Sequence, residues 1–208
     1  MPIEGFDKLV EGAKPLPLRY WDDPVLSTVC DKIEDNEFGP ELTQFGRQLI
    51  ATMQHKNGIG LAAPQVGVAK RVFAMEFPDH EGFGPRVVVN PTLVLQGGTR
   101  PGREGCLSLP NVFEQVYRAE SVLMRYFDTD GKEIEMPLIT ALDARVAQHE
   151  YDHLNGIMFF DYKDKRENYV TLEHPQPWGA RMSKQLSKNV LREWEKRHER
   201  LIEEAERH

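Results

Sequence analysis

The chain has 208 residues, 40% of them hydrophobic and 28% charged, a balance that supports one cored domain with appendages and excludes a disordered chain. No run of 18 apolar residues is present, which excludes a transmembrane helix, and a net charge of −7 argues against a sequence-specific or whole-surface nucleic-acid binder. Two cysteines, Cys30 and Cys106, cannot make a disulfide framework, and the start lacks a basic stretch leading into an apolar one, so the expectation is a cytoplasmic protein with no membrane partner.

Residues 1–39 are rich in Pro, Asp and Glu and read as an irregular arm, with the more apolar part from Leu18 to Leu26 lying on the core. The first helix is expected after Pro40, a residue suited to a first turn; Leu42, Phe45, Leu49 and Met53 give it one apolar face, and Asn57-Gly58 stops it. Strand-like runs follow a glycine-rich loop: residues 71–77, 87–89, 93–95 and 121–127, with Asp130-Gly131 as a hairpin signal before a strand at 133–138. A second helix is expected from Thr140 to about Leu154, with Asp143 as a rough capping-box partner and Asn155-Gly156 as its stop. Residues 157–162 read as one more strand. After a polar, proline-containing stretch, Met182, Leu186, Val190 and Trp194 recur every four residues, which predicts a C-terminal amphipathic helix. Its segment 181–200 holds seven basic residues against three acidic. The expected fold class is α+β.

Three segments carry chemistry. In His149-Glu150-Tyr151-Asp152-His153 the two histidines lie four apart, so on a helix both imidazoles face one metal ion, and Glu150 can reach a water there without being a ligand. A catalytic site of this kind needs a third protein ligand. Cys106, in Glu104-Gly105-Cys106-Leu107-Ser108, is one candidate, although a free cysteine is often only a small buried hydrophobe. Glu173, 20 residues after His153, is another, but His174-Pro175 beside it would interrupt a ligand-bearing helix. The third segment runs from Gly58 to Gly67; its glycines let a substrate backbone come close, and Gln65 offers a neutral amide donor for an oxyanion, whereas the plain alternative is a helix-to-strand turn.

Together, Gly58 to Gln65, Glu104 to Ser108 and Gln148 to Gly156 resemble, in order, the three signature motifs of the peptide deformylase family, and the likeness extends from about Leu18 through Tyr162. The resemblance implies antiparallel sheets packed around a central helix bearing the His-Glu-x-x-His motif. It implies removal of the formyl group from N-formylmethionine of nascent peptides, with release of formate. Cys106, His149 and His153 would hold one divalent metal ion, Fe(II) before Zn(II), and Glu150 would move the proton from the water to the leaving amine. Gln65 and the backbone N–H of Leu107 would hold the oxyanion. Gly60 and Gly105 would pair with the peptide backbone, while Ile59, Leu142, Val146 and the His149 ring would line a methionine pocket. Glu104 and Arg118 resemble an ion pair that braces the cysteine loop, and Gln148 and Ser108 read as structural support.

The expected organisation is an N-terminal extension at 1–17, a catalytic domain at 18–162, and a linker with a C-terminal helix at 163–208. The basic half of that helix could touch ribosomal RNA, or the helix could simply dock on its own domain. Three competing functions stand beside the deformylase: a zincin-type endopeptidase using Glu173, a peptide binder without turnover, and a thiol hydrolase using Cys106.

Overall fold

The computed structural model describes residues 12–77 and 84–162. Five strands, β1 (Gly60–Ala62), β2 (Val72–Met75), β3 (Arg86–Cys106), β4 (Leu109–Phe127) and β5 (Glu133–Leu138), form one antiparallel sheet in sequence order. Two helices accompany it, α1 (Pro40–His55) and α2 (Ala141–His153). An antiparallel sheet with helices on its faces is the α+β arrangement, and the described strands form a single sheet rather than several.

The two helices occupy opposite faces. Strand β2 is buried along its whole length, and its alternate residues separate. Phe73 and Met75 join a core cluster with Val122, Met124 and Leu138 of β4 and β5 and with Ala144 and Ala147 of α2. Val72 and Ala74 join a second cluster with Leu42, Leu49, Ile50 and Met53, the apolar face of α1. A strand covered on both faces needs no polar alternation, which is why 72–75 reads as a continuous apolar run.

Both helices begin and end where their local chemistry dictates. Pro40 opens α1, and the chain leaves it through Asn57 in the left-handed region at φ 55°. Thr140 caps α2 by accepting from the Asp143 N–H at 3.2 Å, and Gly156, at φ 68°, carries the chain away. The hairpin between β4 and β5 uses Gly131 at φ 82°, with the Asp128 carboxylate accepting from the N–H groups of Asp130 and Lys132.

Two expectations are corrected. The runs at 87–89 and 93–95 belong to one long strand, β3, whose register shifts near Asn90-Pro91 and again between Gln96 and Thr99. Asn90, at φ 50°, and Gly97, at φ 74°, absorb those irregularities, so the apolar pattern is broken while the ladder continues. Residues 157–162 are not a strand: Phe159–Asp161 form a 3₁₀ turn, held by the Asp161 carboxylate accepting from the Met158 N–H at 2.7 Å. Phe159 is buried there with Leu109 and Val116, so apolarity reflects packing under the hairpin rather than pairing in the sheet. The arm is irregular as read from 12 to 39, apart from 3₁₀ turns at Pro24–Ser27 and Asp35–Glu37, and Leu26 is fully buried. The C-terminal helix, its basic segment and Glu173 lie outside the described residues.

Candidate metal centre

The β3–β4 hairpin and helix α2 supply the site between them. Cys106 and Leu109 are the last paired residues of the hairpin, so Leu107 and Ser108 form its tip. Cys106 Sγ lies 3.3 Å from His153 Nε2, and ligand atoms of Cys106, His149 and His153 all fall within 4.8 Å of one another. Two ligands on one tetrahedral metal ion stand roughly 3.5 Å apart, so the three side chains fit a single ion. The thiolate and two imidazoles are a donor set for a transition metal rather than for calcium or magnesium.

The side chains behind these three fix their chemistry. Arg118 donates to both oxygens of Glu104 at 2.9 Å, and although burial works against charge, this guanidinium holds the Glu104 carboxyl well below its usual range. An ionised Glu104 only accepts, so a proton sits on His149 Nδ1, 3.0 Å from Glu104 Oε2. Although burial opposes its charge, the contacts with Cys106 and Glu104 hold the ring well above the ordinary histidine range, so a metal at Nε2 would displace a proton. Burial pushes His153 well below the ordinary histidine range, which keeps it in the neutral form a metal requires. Asp152 is buried as well: Arg118 donates to it, and so does the Tyr162 hydroxyl at 2.6 Å.

Glu150 is 4% exposed and faces Gly60, where a Cβ would collide with its carboxylate. Burial raises its carboxyl to about 7, a value suited to taking and returning a proton near neutrality. Its Oε2 and His153 Nδ1 have no hydrogen-bond partner among the described residues. An unpartnered buried polar atom costs roughly 1–3 kcal/mol, so the site fits an occupant that bonds beside Glu150. Gln65 Oε1 accepts from the Ala62 N–H at 2.8 Å, which turns Nε2 toward Cys106 Sγ at 3.3 Å and Ser108 Oγ at 3.2 Å.

These groups open into a cleft of about 610 Å³. All the residues to which the resemblance gives a catalytic, ligand, substrate-binding or bracing role line it except His153 and Arg118, which are 1% and 5% exposed. Ile59 and Leu142 are among the exposed apolar residues, whereas Val146 is buried. The lining also includes Arg145 and Phe113, which sequence reasoning missed. Arg145 is legible only as the residue one turn before His149; Phe113 belongs to no motif.

The family model for polypeptide deformylase matches residues 15–169. The chain belongs to the polypeptide deformylase family. A deformylase from Microchaete diplosiphon is 41% identical over 160 residues, covering 76% of this chain and 82% of that one. Peptide deformylase 1 of Clostridium perfringens is 38% identical over 146 residues, 70% of this chain and 96% of its own. Among solved structures, the Thermotoga maritima deformylase superposes with a TM-score of 0.65 at 37% identity, covering 71% of this chain and 97% of that one. A class I type b deformylase from Acinetobacter baumannii with Met-Ala-Ser bound gives 0.65 at 34% identity, covering 72% and 98%. Family membership makes this chain a deformylase-type enzyme, and the Cys106, His149 and His153 cluster is its possible metal site.

Proposed function

We propose that this chain hydrolyses the formyl amide of N-formylmethionine at the start of nascent peptides, releasing formate and a free amine. The observation that carries this reading is the convergence of Cys106, His149 and His153 beside a buried, proton-poised Glu150 at the floor of an apolar-walled cleft. Those three side chains would hold one divalent ion, ferrous iron first and zinc second. When bound, such an ion polarises the formyl carbonyl and makes water a nucleophile at neutral pH.

The chain's own residues do the rest. Glu150 accepts the proton of the attacking water and returns it to the departing amine. Gln65 Nε2, aimed into the site by the Ala62 contact, donates to the oxygen that gains charge, and the Leu107 backbone N–H joins it from the hairpin tip. Gly60 on β1 and Gly105 on β3 offer bare backbone edges on which the peptide lies as an added strand. Ile59, Leu142, Val146 and the His149 ring enclose the methionine side chain. Glu104 and Arg118 hold His149 in orientation.

The same reading sets the organisation. Helix α2 is the centre about which the catalytic domain, 18–162, is arranged; 1–17 is an extension, and 163–208 a linker with an amphipathic helix. The enzyme works in the cytoplasm. The basic segment 181–200 would either touch ribosomal RNA or dock on its own domain, and deletion of 181–208 that leaves ribosome affinity unchanged removes the first of these.

The test is formate release from a formyl-Met tripeptide, using protein purified without oxygen and assayed beside Glu150→Gln. Release that the substitution abolishes supports the reaction and the proton carrier together; no release from metal-replete protein refutes the reading.

A further inference from the structure

The metal ligands come from two separate elements, Cys106 from the β3–β4 hairpin and the histidines from helix α2, so the spacing of hairpin and helix decides whether a site exists. A metal or catalytic constellation tolerates errors of only about 0.5 Å. Arg145, one turn before His149 on α2, reaches across that gap. Its Nη1 donates to Glu104 Oε1 at 2.6 Å and to the Val116 carbonyl at 2.9 Å, and its Nη2 donates to the Arg100 carbonyl at 2.7 Å. Its side chain is 14% exposed. Three acceptors on both strands of the hairpin are thus gripped by one planar, rigid fork, an arrangement that a lysine cannot reproduce.

The seat for this fork is a missing side chain. A Cβ on Gly102 would lie 2.5 Å from Arg145 Cζ and 2.6 Å from Nη2, so the guanidinium rests against the bare backbone of β3. Gly102 has no left-handed backbone requirement, so this close approach is the structural reason for glycine there.

We propose that Arg145, seated on Gly102, is a positioning residue that sets the distance between the cysteine hairpin and the histidine helix and keeps Glu104 Oε2 on His149. Arg118 shares Glu104 Oε1 with Arg145 and also donates to Oε2, but it reaches onward to Asp152 of the same helix, nearer its C-terminal end. The two arginines therefore tie hairpin to helix at two heights, before and after His149. The proposal rests on the deformylase reading, since it assigns Arg145 to that site and that turnover.

Two variants approach the contact from opposite elements. Arg145→Gln removes the fork, and Gly102→Ala displaces it without altering any polar group, because the clash is with the end of a flexible side chain. Each is expected to lower kcat about 10-fold and to speed metal loss to a chelator by a similar factor, the size typical of residues that orient ligands. KM should stay within about 2-fold, melting should remain cooperative, and the downfield Nδ1–H proton resonance of His149 should shift. The double variant should be no worse than the more affected single one, because both remove the same clamp. Arg145→Lys should recover less than half of the loss. Unchanged kcat and metal-loss rates in both variants overturn the proposal. So does a rise confined to KM with an unmoved His149 resonance, which would make Arg145 a substrate contact. Inactive wild-type protein that nevertheless shows the faster metal loss in the variants would refute the deformylase reading while leaving the clamp in place.

Discussion

Glu150 and Cys106 carry the sharpest residue-level expectations. Glu150 is buried beside Gly60, and its carboxyl is raised to about 7 because burial disfavours the charged form. Glu150→Gln keeps the shape and the hydrogen-bonding capacity but cannot shuttle a proton, so kcat should drop roughly 10²–10⁴-fold. Metal content, measured by atomic emission, should be unaltered. Cys106→Ser separates the deformylase from the endopeptidase reading: in the first Cys106 is the third ligand beside His149 and His153, so metal should be lost on dialysis, whereas full retention would point to Glu173. Some of this scale was readable in the sequence. The four-residue spacing of His149 and His153 and the adjacency of Glu150 follow from helical geometry alone. That Asp152 is buried under Arg118 and Tyr162 was not readable, because helical spacing says which residues share a face and not what covers it.

At the scale of elements, α1 shows how a sequence pattern becomes packing. Its apolar stripe predicts one buried face, and Leu42, Leu49 and Met53 are buried while Phe45 packs in part against the same cluster. Leu49 is fully enclosed between the helix and the sheet, so Leu49→Ala should cost about 2–5 kcal/mol in urea denaturation, from lost burial plus the cavity left behind. An exposed position on the same helix, such as Glu41, should change stability by less than about 0.5 kcal/mol when replaced by Ala. The hairpin resisted the same treatment. Its strands pass through Asn90-Pro91 and Gly97-Gly98, which read as breaks, yet cross-strand pairing resumes beyond each. Bulges are tolerated because a partner strand of matching length lies alongside, a long-range fact that no local window contains.

For the whole molecule, stability should depend on pH through Asp161, which closes the 3₁₀ turn beneath the hairpin. Burial raises its carboxyl from 3.8 to about 6, with Asp152 adding to the rise and the Met158 N–H opposing it. The folded state therefore binds this proton more tightly than the unfolded chain, and stability falls as pH rises from 3.8 to about 6. Asp161→Asn keeps an acceptor for the Met158 N–H and removes the buried charge. It should raise the Tm at pH 7.5 and do so less at pH 5, by calorimetry on metal-loaded protein. Equal gains at both pH values would refute this assignment.

The sequence alone determined the class of fold, the two helices with their caps and stops, and the three motif segments, because periodicity, turn chemistry and motif spacing are local properties of the chain. Spacing by itself left the third ligand open between Cys106 and Glu173, the family resemblance pointed to Cys106, and neither gave a hint of Arg145 or Gly102. Only the tertiary structure brings Cys106 against His153 and Arg145 against Gly102. Cys106 and His153 are 47 residues apart in the chain, and Arg100 and Arg145 are 45 apart. Contacts of that range exist only after a bulged hairpin has folded over a helix, bringing together side chains whose spacing in the sequence carries no period.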